Sequence, residues 1–146
     1  TNEYTIEHIM PQNLSKAWKQ NLGSEYKQVH EKYLHTIGNL TLTGYNSEYQ
    51  NKCFVDKLDC KDKQGNNIGY RHTPIKISHS LIKYNQWGEK EILARTNQLV
   101  NKFVNDTLRM YKNDDIRMYN FNCITDTIVE VITTCNTYTL LTVHLL

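Results

Sequence analysis

No stretch of this 146-residue chain is apolar over the length that a membrane helix needs, and no secretory leader is visible. A spanning protein is not expected. The chain does not begin with Met, and we read it as a piece of something longer. Charge of one sign is also missing: 17 Lys and Arg stand against 15 Asp and Glu, a net charge of +2. The basic stripe that marks most DNA binders is absent, so the balance permits an anionic partner without arguing for one. None of the four cysteines, Cys53, Cys60, Cys123 and Cys135, belongs to a C-x-x-C pair, which disfavours a structural zinc site. Reduced thiols and a cytoplasmic location are expected instead. There is no G-x-x-x-x-G-K-[S/T] loop to cradle a nucleotide, and no internal repeat.

What remains is an ordinary globular composition, 39% hydrophobic and 22% charged, enough for one domain with a real core. Tyr4 to Ile9 reads as a strand stopped by Pro11. Leu14, Trp18 and Leu22 recur at helical spacing, and Gly23 closes that helix. Ser24 is the expected cap of a second helix, with Tyr26, Val29, Tyr33 and Ile37 on one side and Gly38 at its end. Leu40 to Thr43 alternates like a strand. Gly44 breaks it, and Asn46 or Ser47 caps a third helix through about Leu58. The run "NKCFVDKLDCKDK" mixes both signs and reads mostly as a solvated face. After a polar loop, Ile75 to Tyr84 has a helical pattern. A long helix from Gly88 to about Tyr111 follows, with Ile92, Leu99, Phe103 and Leu108 inward. Trp18 and Trp87 read as core anchors. Beyond Asn120 the chain has no Lys or Arg and favours strand, an aggregation hazard unless covered. The expected fold class is α+β, mostly helical, divided as a domain over 1–112 and a tail of unassigned role over 113–146.

Chemistry points to the first strand. Glu7 and His8 stand side by side where that strand gives way to a loop. If the two strands pair, Asn46 at the next helix start comes near them. A hard cation such as Mg²⁺ wants oxygen ligands and keeps several waters, so Glu7 and Asn46 suffice to tether one. An imidazole with an unperturbed pKa near 6.5 is suited to take a proton from water. Those groups together predict phosphodiester hydrolysis. Plainer roles exist for the others: His30, His35, His72 and His79 as surface or satisfied core residues, and Arg71, Lys76 and Lys83 as solvated charges. A buried ion pair is the plain expectation at Arg95.

"TIEHIMPQN", then "IGNLTLTGYNSEYQNKCFVDK", then Trp87, Ile92, Arg95 and Leu99, together resemble the HNH-like C-terminal domain of GmrSD-type restriction endonucleases, over about Tyr4 to Asn105. The resemblance implies a ββα-metal (HNH, or His-Me finger) core, here with a helical insertion and C-terminal helices. It implies a DNA endonuclease of a bacterial defence system that uses Mg²⁺, Mn²⁺ or another divalent cation and follows a ParB-like domain. By resemblance His8 is the general base, and Glu7 takes the acidic ligand place, where aspartate is common. Asn39 takes the place of the residue that braces the histidine loop, and Asn46 or Asn51 supplies the further metal ligand. Arg71, Lys76, Lys83 and Arg95 are candidates for contacting the DNA backbone. The alternative is a module of the same fold that binds nucleic acid or assembles with a partner but does not cut.

Overall fold

The computed structural model describes residues 4–113, with side chains to residue 107. It is an α+β fold around one small antiparallel sheet. Strand β1 (Thr5–His8) pairs with β2 (Leu40–Thr43) in the register Thr5 to Thr43, Ile6 to Leu42, Glu7 to Thr41 and His8 to Leu40. Between the strands lie α1 (Lys16–Leu22) and α2 (Tyr26–Tyr33). After β2 come α3 (Asn46–Tyr49), α4 (Phe54–Leu58), a 3-10 turn at Lys76–Leu81 and α5 (Glu89–Asn113). The described residues through Thr96 belong to one compact unit and those from Asn97 to another. The expectations for the strand-favouring tail, for Cys123 and Cys135 and for the Leu108 side chain lie outside the described residues. Cys53 and Cys60 are free thiols.

The helix ends show how local chemistry sets these boundaries. Ser15 caps α1 by accepting from the Trp18 amide, and Gly23 ends it at φ +77°, a conformation that glycine adopts without strain. The second helix departs from expectation: its N-cap is Glu25, not Ser24, and it ends at Tyr33. Gly38 lies in a separate 3-10 turn, Ile37–Asn39, and its value there is closeness rather than helix termination. A Cβ on Gly38 would sit 2.2 Å from Thr96 Oγ1 and 2.3 Å from the Ile92 carbonyl oxygen. The single helix expected from Asn46 to Leu58 is two short ones, because Gln50 takes a positive φ of 44° that an α-helix cannot carry.

The core gathers Ile9, Met10, Trp18, Tyr49, Phe54, Leu58, Tyr70, Leu81, Trp87 and Ile92. Both tryptophans are fully buried, as expected, and each indole N–H has an acceptor: Trp18 donates to the Lys52 carbonyl at 2.9 Å and Trp87 to Asn39 Oδ1 at 3.1 Å. Phe54 stacks on Trp87 with ring centroids 5.0 Å apart. On α5, Ile92 is buried as expected and Leu99 half-buried, but Phe103 is 69% exposed, so the inward stripe does not continue that far.

Candidate active site around His8

Successive strand residues face opposite sides of a sheet, and β1 obeys that rule. Glu7, paired with Thr41, is turned into the core and is 4% exposed. Ile6 and His8 stand on the other face, where Ile6 is exposed and His8 half-buried. Glu7 and His8 therefore do not share one site.

Glu7 meets a lysine instead. Lys57, on α4, is completely buried, and its ammonium lies 2.6 Å from Glu7 Oε1. Tyr70 donates to the same oxygen at 3.2 Å. Burial pushes the Glu7 carboxyl up from its ordinary value and the Lys57 ammonium down, and the attraction between them opposes both shifts. Lys57 also donates to the carbonyls of His8 at 3.1 Å and Ile9 at 3.2 Å. The mixed-charge run that reads as a solvated face thus hides one buried cation. Its signal was periodic: Phe54, Lys57 and Leu58 fall at i, i+3 and i+4, an apolar stripe with a lysine in it.

Asn39 holds the next residue. It is fully buried, and its amide uses all of its capacity: Oδ1 accepts from the Met10 amide at 2.8 Å and from Trp87, while Nδ2 donates to the carbonyls of Met10 at 3.0 Å and Leu34 at 2.9 Å. The Asn39 backbone carbonyl accepts from the Ile9 amide at 2.9 Å. One residue further, the His30 ring donates to the Pro11 carbonyl at 3.0 Å. Four consecutive carbonyls, from His8 to Pro11, are each held by a side chain from outside the segment. The chain leaving β1 is fixed by Lys57, Asn39 and His30 together.

At the head of this fixed segment both ring nitrogens of His8 are engaged. Nε2 lies 3.1 Å from His35 Nδ1, and Nδ1 lies 3.5 Å from the Gln12 side-chain amide. Burial, then His35, Lys57 and His30, lower the His8 pKa below its ordinary value, so the ring is neutral at neutral pH.

The remaining candidates are placed separately. Asn46 is half-buried at the start of α3 and donates from Nδ2 to Thr5 Oγ1 at 2.6 Å and to the Ile6 carbonyl at 2.9 Å. That fastens α3 to β1 two residues before His8, about 7 Å along a strand. Asn51 is exposed in the turn between α3 and α4. Arg71 is exposed and pairs with Asp59 at 3.2 Å, and Lys76 is exposed. Arg95 is completely buried, and the expected ion pair is replaced by neutral acceptors: the carbonyls of Ile37, Gly38, Leu40 and Ile77 and the Ser80 hydroxyl, at 2.7 to 3.2 Å. Desolvation lowers its pKa only to about 10, so it stays charged while binding the turn before β2 to the 3-10 turn at Lys76–Leu81. A guanidinium so enclosed is not offered to phosphate.

The donor set bears on a divalent cation. The Glu7 carboxylate is inside the core against an ammonium, and a cation at that oxygen would face the Lys57 charge. Among the described residues no group of three or more His, Cys, Asp or Glu is arranged to hold a metal. Glu7 and Asn46 do not fit a shared cation in this arrangement.

A buried asparagine bonded to the loop after a strand-end histidine, with a second strand and a short helix following, marks an α+β domain. The sequence match is more specific: residues 1–102 match the family described as GmrSD restriction endonucleases, C-terminal domain. The chain belongs to that family. No curated protein and no solved structure gives a match. Among the described residues no helix is long and apolar enough to cross a membrane.

Proposed function

We propose that this chain is the DNA-cutting module of a restriction endonuclease and that His8 is its general base. The observation that carries the reading is the clamp on residues 8–11, which fixes a neutral, half-buried imidazole at the end of β1. A base needs a defined position before its pKa matters, and this one has both. His8 takes a proton from water as the water oxygen bonds to phosphorus; the ester P–O bond breaks, and the leaving oxygen is protonated from solvent. Positioned proton transfer of this kind contributes about 10²- to 10⁴-fold. Arg71 and Lys76 are the exposed cations proposed to meet the DNA backbone, and an upstream ParB-like domain is the proposed partner in a bacterial cytoplasm.

Mg²⁺ or Mn²⁺, when bound in enzymes of this kind, stabilises charge on the phosphate and leaving oxygen. Asn46 or Asn51 is the proposed ligand, while Glu7, held by Lys57, is not offered to the ion. That same buried pair favours the second reading, a module that binds nucleic acid or assembles without cutting. Nicking of supercoiled plasmid with Mg²⁺, with Mn²⁺ and with neither separates the two. Metal-dependent nicking lost in His8→Ala supports the nuclease. Salt-sensitive binding without nicking, unchanged by metal, supports the binding module.

A further inference from the structure

We propose that His35 positions the His8 imidazole, holding it in the Nε2–H form so that Nδ1 is the nitrogen that takes the proton. The inference rests on His8 being the base. It begins from the two contacts of the His8 ring. Gln12 brings the N–H₂ end of its amide to His8 Nδ1, which must then present a lone pair. A neutral imidazole has one N–H, so the hydrogen is on Nε2 and points at His35 Nδ1, 3.1 Å away. His35 accepts with Nδ1 and keeps its own hydrogen on Nε2. One assignment satisfies both contacts; the opposite one sets an N–H of His8 against the Gln12 amide hydrogens.

The rings meet edge-on at 83°, with centroids 5.1 Å apart, so the contact is a directed hydrogen bond rather than stacking. His35 follows α2, whose His30 holds the Pro11 carbonyl, so the same helix fixes both the loop and the ring of His8. This is the logic of a base oriented by a third group. The short bond is to His35 and the long one, 3.5 Å, to Gln12, so Nδ1 is the nitrogen released when a water enters. After proton transfer to Nδ1 the imidazolium still donates from Nε2 to His35. His35 touches neither water nor phosphate in this scheme.

The experiment compares wild type with His35→Ala, His35→Phe and His35→Asn. Asparagine keeps an acceptor at the reach of Nδ1, and phenylalanine keeps the ring without one. Long-range ¹H–¹⁵N correlation spectra read the His8 tautomer independently of cleavage. The expected result is Nε2–H in wild type and His35→Asn, and a mixture with Nδ1–H in His35→Ala and His35→Phe. Plasmid nicking is expected to lose about 10- to 100-fold in kcat with KM unchanged in the Ala and Phe variants, the size of loss seen when the partner orienting a metal-bound imidazole is removed, and to recover in His35→Asn. Nδ1–H in the wild type, or a tautomer unchanged in His35→Phe, overturns the proposal. If the tautomers behave as expected but wild type cuts nothing, positioning stands and the nuclease reading fails. Unchanged melting temperatures identify variants that fold.

Discussion

Removing Lys57 tests whether the end of β1 is strapped from inside. Lys57→Met deletes the ammonium 2.6 Å from Glu7 and the two hydrogen bonds to the His8 and Ile9 carbonyls, while keeping an unbranched apolar stem in the core. Glu7 is left buried with Tyr70 as its remaining donor. Breaking a buried pair from one side costs about 3–5 kcal/mol, because an uncompensated charge stays behind. Replacing both partners is different. Burial pushes each group toward its neutral form, so the pair itself adds little net stability. Glu7→Gln/Lys57→Met should therefore recover all but the two carbonyl bonds, at about 1 kcal/mol each. The double variant should lie about 2 kcal/mol below wild type, far less than the sum of the two single variants, each of which leaves a buried charge unpaired at about 3–5 kcal/mol. Urea denaturation gives these values from midpoints at constant slope. A Lys57→Met cost below about 1 kcal/mol, or additive single variants, would refute the strap.

Arg95→Met should cost at least about 3 kcal/mol, since four carbonyls lose their donor in a buried setting. Arg95→Lys should not rescue it, because one ammonium cannot reproduce the planar fork; full stability in the lysine variant would show that only charge matters. His8 supplies a pH prediction. Its folded-state pKa is lowered, so the stability it contributes is present above about pH 6.5 and is lost as pH falls through the folded-state value. Unfolding midpoints measured from pH 7 down to 5 should fall more steeply for wild type than for His8→Gln, and parallel profiles would contradict the assignment.

Much of the fold could be read from particular residues. Leu40 and Leu42 alternate with threonines and form β2; Thr5 to His8 form β1; Leu14, Trp18 and Leu22 mark α1. Local pattern failed where tertiary contact decided. Gly38 looks like a helix stop, but what matters is that nothing larger than hydrogen fits against Ile92 and Thr96. The third helix breaks at Gln50, which carries no conspicuous breaker in its side chain. At the site, only the family resemblance singles out Asn39, because its partners on the Met10 backbone lie 29 residues away in sequence. The adjacency of Glu7 and His8 misled for a simple reason: β1 continues through His8, so period-2 alternation sends them to opposite faces. Lys57 was hidden by its charged neighbours, and His35 by its distance of 27 residues from His8.

The proposed nuclease stands or falls with the His8 ring, fixed at the end of β1. The most direct test is the single-turnover rate of plasmid cleavage for wild type and His8→Ala at neutral pH with Mn²⁺. The variant is expected to lose about 10²- to 10⁴-fold with DNA affinity unchanged; equal rates for the two proteins would rule out His8 as the base.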